Sequence, residues 1–459
     1  MQGKDVVELE KKVYIVHCVD TEGPLYEALT ATFERIKKIF GVDILPTKAN
    51  LKKLQNKELD LNGNEDAVAN LVAPSRINMN GTWEQINDML DEMFTEDFRN
   101  QLPDSRGNGW ICNWFCMDHI GFTGYNPRRR DAGYHNIFDH YNDYVKYNPN
   151  CKDIIQWHYH PLPFSGDYHS MGTAYLNSNN IYDILCRKII DRGWFPAVFR
   201  PGFHAERPDS NWFLEQWIPF DYANQSVKGK ETDQPDLAGG RYGDWRRAPK
   251  EWIIYHPSHD DYQISGACRR WIARCLNMEA RLREITIDDF RDGFRMAENG
   301  QPTLISFTNH DFRDMRPEIN KMRNMIKDVS NEFSDVEFIY CNAIEAMRNV
   351  LGLKPVKPGL KLDIKKNKEE NTAFLKVAVE AKIFGPQPFL AIKTVTGQYY
   401  WDNFDVEQDN IWSYTFDQYT VNLNAIDKIG VAANSPQGVT EVIVYDNLTG
   451  NVNKMEYNL

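Results

Sequence analysis

The chain has 459 residues, of which 42% are hydrophobic and 26% are charged, as is usual for a folded globular protein. Its net charge of -12 argues against a nucleic-acid-binding protein, because phosphate groups attract a basic surface. No apolar run reaches the roughly 18 residues that a membrane-spanning helix needs, and the first residues lack a signal-peptide core. We therefore expect a cytoplasmic protein without a membrane span.

Apolar strand candidates alternate with amphipathic helices in the larger, amino-terminal part of the chain. The strand predictions are residues 13–19, 109–117, 153–160, 197–200, 252–256, 303–308 and 336–340. The helix predictions are residues 25–40, 83–94, 181–192, 287–299 and 316–330. Such alternation predicts a parallel α/β sheet, open or closed. Polar segments follow several of the strands, at the carboxyl ends where barrel active sites lie.

The pattern changes at residues 353–371, which contain Pro355, Pro358 and a run of charged residues. We interpret this segment as a linker that follows an α/β domain of residues 1–352. Beyond it the helical period disappears, and short apolar runs alternate with turn residues. The strand predictions there are residues 374–379, 389–395, 411–416, 419–423, 428–432 and 439–445. They predict a small all-β, sandwich-like module at residues 372–459.

Two segments carry candidate metal ligands. Asp20 and Glu22 end the first strand and share one face of it, because alternate strand residues point the same way. One carboxylate of such a pair can bind a metal while the other accepts a proton from water. His158 and His160 share a strand face for the same reason, and imidazole suits zinc, nickel or cobalt. An acidic helix-capping turn and two unrelated histidines are the simpler alternatives for each segment alone.

Two further segments carry polar residues at strand ends. Arg200 comes directly after an apolar strand and is placed to hold a carboxylate by two charge-assisted hydrogen bonds. His310 and Asp311 end a later strand, where a histidine oriented by a carboxylate is suited to general acid catalysis. A simple turn and a helix cap are the alternatives.

In their order along the chain, these four segments resemble the polysaccharide deacetylases, the nodulation-type members of carbohydrate esterase family four. In that family a first strand ends in T-F-D-D-G. An H-S/T-x-x-H segment, an R-x-P-x-G segment and a late catalytic histidine then follow. Related segments occur here in the same order between residues 10 and 350. The resemblance implies an irregular (β/α)7-type barrel, followed by the all-β module.

The resemblance also implies catalytic roles. Asp20 corresponds to the catalytic base, Arg200 to the residue that orients it, and His310 to the general acid. We expect substrate contacts from Asp118 and His119, which end the strand-like run of residues 110–117 at the same end of the barrel, with a structural role as the alternative. Tyr159, Pro201 and Asp311, beside the implied site residues, are the other expected substrate contacts.

The implied metal ligands are Glu22 and two histidines. His158 matches the first histidine of the family by its place at the strand end, but the second position is occupied by Leu162. We therefore assign the second ligand to His160, with His169 as the other candidate. The expected cofactor is a divalent metal, most simply zinc, with nickel and cobalt as alternatives.

The resulting prediction is a metal-dependent enzyme that removes an N-acetyl or O-acetyl group from a carbohydrate, either a glycan or a glycan precursor. Two alternatives remain open at this point. The same fold could hydrolyse a non-sugar amide, or the altered motifs could belong to a glycan-binding or assembly protein without catalytic activity.

Overall fold

The computed structural model of the protein describes residues 10–119, 135–161, 172, 174–176, 178–229, 243–279 and 283–459. In this part of the chain, nine strands form one parallel sheet. They are β1 (Lys12–Thr21), β2 (Cys112–His119), β3 (Ile154–His160), β4 (Val198–Pro201), β5 (Phe220–Asn224), β6 (Trp271–Arg274), β7 (Leu276–Asn277), β8 (Thr303–His310) and β9 (Glu337–Tyr340).

The sheet curves into a nearly closed barrel. Its strand order is β6-β5-β4-β3-β2-β1-β8-β7, and β6 and β7 at the two ends are separated in the chain by Cys275 alone. β9 pairs with the first half of β1, while β2 pairs with the second half of the same strand. The predicted α/β barrel followed by an all-β region is confirmed.

Strand alternation decides which side chains enter the barrel. Along β1, Val16 and Cys18 pack in the interior with residues of other strands, whereas Val19 packs in the core outside the barrel. The next inward positions are Asp20 and Glu22, at the carboxyl end of the strand. The barrel therefore places this acidic pair at the end where active sites of parallel barrels lie.

Helices surround the barrel. They are α1 (Leu29–Phe40), α2 (Lys48–Gln55), α3 (Glu65–Leu71), α4 (Pro74–Ile77), α5 (Trp83–Met93), α6 (Glu96–Arg99), α7 (Asn136–Tyr147), α8 (Asn179–Arg192), α9 (Pro208–Trp217), α10 (Ile287–Glu298), α11 (Met315–Glu332) and α12 (Ala343–Leu351). Local sequence explains several boundaries: Thr286 and Asp289 form a capping box at the start of α10, and Gly193 ends α8 with a φ of +63°. No helix among the described residues is both long and apolar enough to cross a membrane.

The carboxyl-terminal region consists of two antiparallel sheets with a shared apolar core. One sheet has the order β10-β11-β15-β14 and the other β13-β12-β16-β17-β18. The strands are β10 (Lys361–Asn367), β11 (Thr372–Ala378), β12 (Phe389–Thr394), β13 (Tyr399–Asp402), β14 (Asp405–Gln408), β15 (Ile411–Phe416), β16 (Ile426–Asn434), β17 (Thr440–Asp446) and β18 (Val452–Tyr457).

Several predicted elements differ from the structure. The prediction of a strand at residues 252–256 is wrong. Tyr255 makes only an isolated antiparallel bridge to Ile272, and the strand that pairs with β5 in the barrel is β6. Within the predicted linker, β10 pairs with β11 along seven residues. β10 lies at the edge of its sheet, where charged residues are common on strands. Because of its lysines, its sequence resembles that of a polar linker. Residues 419–423 are not a strand; they lead into a short 3-10 turn that begins at Leu423.

The β region packs against α8 and the neighbouring part of the barrel. Trp401 stacks on Tyr182 of α8 with ring centroids 4.3 Å apart. Asn434 is buried and donates two hydrogen bonds, to the carbonyl oxygens of Pro196 at 2.7 Å and Trp217 at 2.9 Å. Buried residues of α8 and of the β region thus belong to one continuous hydrophobic core.

Candidate metal centre

Two barrel strands bring one carboxylate and two imidazoles together at their carboxyl ends. Glu22 follows β1, while His158 and His160 lie at the end of β3. Their ligand atoms all lie within 4.8 Å of one another, and all three residues are buried. Nε2 of His160 lies 2.9 Å from Nε2 of His158 and 3.4 Å from Oε1 of Glu22. A cluster of two imidazoles and one carboxylate could hold a metal ion.

A hydrogen bond on the other ring nitrogen orients His158 for this role. Its Nδ1 lies 3.0 Å from the backbone oxygen of Arg200. Because a carbonyl oxygen can only accept, Nδ1 carries the proton and Nε2 directs its lone pair towards Glu22, 3.7 Å away. A backbone carbonyl in this position is a common support for metal-binding histidines. This is the observation that fits the cluster to a metal.

His160 owes its position to the absence of a side chain at Gly202. A Cβ atom at Gly202 would lie 2.6 Å from both Cγ and Cδ2 of His160, which is closer than real Cβ contacts allow. Gly202 directly follows β4, the strand next to β3. The glycine of the Arg-Pro-Gly segment therefore makes room for a candidate ligand.

Asp20 forms a buried, two-pronged ion pair with Arg200. Nε of Arg200 donates to Oδ1 of Asp20 at 2.6 Å and Nη2 donates to Oδ2 at 3.0 Å, while Nη1 donates to the carbonyl oxygen of Tyr222 at 2.5 Å. Burial alone would raise the pKa of Asp20. The charge of Arg200 and its hydrogen bonds outweigh burial and hold this pKa well below its usual range. The carboxylate is therefore ionised.

His310 approaches the same cluster from β8. Its Nε2 lies 3.9 Å from Oδ2 of Asp20 and 3.8 Å from Oε1 of Glu22. The His310 side chain is 25% exposed, whereas those of Asp20 and Glu22 are 2% and 5% exposed. Of these three groups, the imidazole is thus the one that is accessible from solvent.

Asp311 supports the site from behind. Its carboxylate accepts hydrogen bonds from the backbone nitrogens of Glu22 at 2.7 Å and Gly23 at 2.8 Å, and from the hydroxyl of Tyr141 at 2.7 Å. Asp311 is fully buried. These contacts hold the backbone that carries Glu22, so that Asp311 positions a ligand instead of facing a substrate.

Two expected substrate contacts lie on the wrong side of the barrel wall. The alternation that turns both histidines inward turns Tyr159 outward, where its ring packs on Tyr175 and is fully buried. Asp118 also points outward, with Oδ2 accepting from Nε1 of Trp157 and Oδ1 lying 3.1 Å from Nζ of Lys188. Burial raises the pKa of Asp118. Both predictions are corrected: these side chains belong to the core between the barrel and its helices.

The structure describes Pro201 fully, His119 only in its backbone, and His169 not at all. Pro201 is buried in β4, and its backbone pairs with Tyr159. His119 ends β2, and its backbone pairs with His160; the structure does not describe its side chain. His169, the other candidate ligand, lies outside the described residues.

His204 also belongs to the site, although no role for it was predicted from its segment. Its Nδ1 lies 3.4 Å from Nη2 of Arg200, and its Nε2 lies 3.0 Å from Nε2 of Gln225. Burial and then the charge of Arg200 hold the pKa of His204 well below its usual range, so the ring is neutral. Its nearness in sequence to Arg200 was an available signal. For Gln225 the sequence contained no such signal, because this residue follows β5 and lies near the site only as a result of the position of β5 in the barrel.

These side chains thus form a buried carboxylate–imidazole cluster, an ionised Asp20 and a more exposed histidine at one end of the barrel. Comparison of the chain with protein-family models, with curated proteins and with solved structures found no match.

Proposed function

We propose that the chain is a metal-dependent hydrolase that removes an N-acetyl or O-acetyl group from a carbohydrate, either a glycan or a glycan precursor. The observation that supports this proposal best is the cluster of Glu22, His158 and His160 beside the Asp20–Arg200 ion pair. It combines a candidate metal site with a carboxylate held at its edge, as the order of segments along the chain suggested.

The donor set favours zinc, with nickel or cobalt as alternatives. Three protein ligands of this type leave a coordination position open, which is typical of catalytic zinc sites and not of structural ones. When bound, a divalent metal lowers the pKa of water and polarises a carbonyl group. Glu22, His158 and His160 would hold it.

The neighbouring groups supply the proton transfers in this proposal. Asp20 accepts a proton from the attacking water, and Arg200 fixes its orientation. His310, with Nε2 3.9 Å from Asp20, is the partly exposed group that donates a proton to the leaving nitrogen or oxygen.

Metal content is the first test. The full-length protein should retain about one zinc, nickel or cobalt ion per chain after purification, as measured by elemental analysis. His158→Ala should lose it. His259→Ala is the matched control, because its side chain is 72% exposed and lies outside the cluster. A wild-type protein that binds none of the three metals would remove the basis of the proposal.

Acetate release is the second test. The metal-loaded protein should release acetate from N-acetylhexosamine oligomers or O-acetylated sugars, and not from acetylated amines that lack a sugar. Activity on the amines alone would support a non-sugar amide hydrolase. A stoichiometric metal without any release of acetate would favour the non-catalytic alternative.

A further inference from the structure

The turn after β4 contains two adjacent residues in the left-handed region of backbone conformation. The φ angle is +52° at Phe203 and +51° at His204. Residues with a side chain seldom adopt this conformation, and the surrounding structure must hold them in it. Conformations of this kind are concentrated at functional sites.

Two residues some forty positions later in the chain hold this turn. The backbone nitrogen of Gly243 donates to the carbonyl oxygen of Phe203 at 3.2 Å, and Nε1 of Trp245 donates to the carbonyl oxygen of His204 at 2.8 Å. Trp245 is buried. A Cβ at Gly243 would lie 1.7 Å from the His204 oxygen, so a larger residue there must displace the turn.

The turn contacts both halves of the candidate site. The Phe203 ring packs edge-on against the imidazole of His160, with centroids 5.2 Å apart. The His204 imidazole lies beside the guanidinium of Arg200. A displacement of the turn would therefore move a candidate metal ligand and the partner of the proposed base together.

We propose that the left-handed turn at Phe203 and His204 positions the metal site, and that Gly243 and Trp245 are positioning residues that act through it. This inference rests on the metal site of the proposed function. It adds two residues that lie outside every segment that suggested chemistry in the sequence.

Gly243→Ala tests the proposal with Co²⁺ alone as the probe. In the full-length protein the affinity for Co²⁺ should fall about 10-fold to 100-fold, as is usual for residues that support metal ligands, and the visible absorption of bound Co²⁺ should change. Gly266→Ala is the matched control. The three atoms nearest to a Cβ there all belong to Ser258, and the closest is its Cα at 2.4 Å. Thermal unfolding monitors folding of both variants.

A second pair of variants leaves the backbone unchanged. Trp245→Phe removes the hydrogen bond to the His204 oxygen and should weaken Co²⁺ binding by a smaller factor. Trp252→Phe removes a comparable bond, from Nε1 to the carbonyl oxygen of Asp289 at 2.7 Å, and should leave Co²⁺ affinity unchanged. This pair decides the question if Gly243→Ala fails to fold.

The possible outcomes separate the two proposals. Weaker Co²⁺ binding by the turn variants but not by the controls supports the inference. Equal binding by the wild type and the turn variants overturns it while the metal site stands, as does an equal loss in turn variants and controls. A wild-type protein that binds no Co²⁺, zinc or nickel overturns the inference together with the proposed function.

Discussion

Arg270 lies buried between two carboxyl groups, and this arrangement predicts that Asp221→Asn is tolerated at neutral pH. Nη2 of Arg270 donates to Oε2 of Glu206 at 3.0 Å, and Nη1 lies 3.6 Å from Oδ2 of Asp221. All three side chains are fully buried. Burial, then the charge and hydrogen bonding of Glu206, raise the pKa of Asp221 well above its usual range. Asp221 therefore holds a proton, and Glu206 alone balances Arg270.

The magnitudes follow from this charge assignment. Asn replaces a protonated Asp221 with a neutral side chain of the same shape, so stability at neutral pH should fall by no more than about 1 kcal/mol. Glu206→Gln instead removes the counter-charge of Arg270, so that either Asp221, 3.6 Å away, must ionise in its buried position or the guanidinium stays unbalanced, which should cost up to about 3–5 kcal/mol. Urea unfolding of the two variants measures the difference directly.

The pH dependence gives an independent check. A carboxyl group whose pKa is raised by folding contributes stability that is fully present below its unfolded value of about 3.9 and is lost as the pH rises through the folded value. Between the unfolded and the folded pKa of Asp221, the free energy of unfolding of the wild type should fall by about 1.4 kcal/mol for each pH unit. The Asn variant lacks this loss, so its stability relative to the wild type should increase with pH. An Asp221→Asn variant as unstable as Glu206→Gln, or a difference independent of pH, would refute the charge assignment.

Three further predictions concern the site and the β region. Gly202→Ala should displace His160 and weaken Co²⁺ binding at least about 10-fold, measured by titration at visible wavelengths. Arg200→Met should cost about 3–5 kcal/mol in urea unfolding at neutral pH, because Asp20 loses its buried partner. Since folding lowers the pKa of Asp20, the stability from this pair is present above about pH 4 and is lost at lower pH, and the cost of the substitution should shrink there. Asn434→Ala should leave two buried carbonyl oxygens without donors. The free energy of unfolding, measured by thermal denaturation, should fall by about 1–3 kcal/mol for each of these two oxygens.

Matched variants control two of these measurements. At Gly81, an added Cβ meets no atom closer than 3.8 Å, so Gly81→Ala should leave Co²⁺ affinity unchanged. For Asn434, the control is Asn447→Ala, since Nδ2 of Asn447 also donates to two carbonyl oxygens, but within the β region. If Gly81→Ala weakens Co²⁺ binding as much as Gly202→Ala, the contact with His160 is not the cause.

The barrel was predictable where a strand has a regular apolar pattern, and less so elsewhere. β1 has ten residues with a near-continuous apolar run, and β8 has eight residues that include Leu304, Ile305 and Phe307, so both gave a clear signal. β5 and β6 have only five and four residues and carry Asp221 and Arg274, ionisable side chains whose neighbours Arg270 and Asp289 lie elsewhere in the chain. A short strand with internal charges has no periodic signature by itself, because the groups that neutralise it are absent from the local sequence.

The site was predictable to the extent that it depends on strand ends. The inward positions of Asp20, Glu22, His158 and His160 follow from a period of two, applied to the ends of neighbouring parallel strands. The same period should have excluded Tyr159, which lies between two inward residues. Which residues return to the site from loops cannot be read from periodicity, and the supporting contacts of the turn after β4 are of that kind.

Arg200 shows why the short Arg-Pro-Gly segment matters more than its length suggests. Its side chain holds Asp20, and its backbone oxygen sets the tautomer of His158. Two residues later, Gly202 leaves the space that His160 occupies. One turn of chain thus orients the proposed base and both histidine ligands. A change in its backbone path would therefore disturb all three at once, whereas a change in any one side chain would disturb only its own contact.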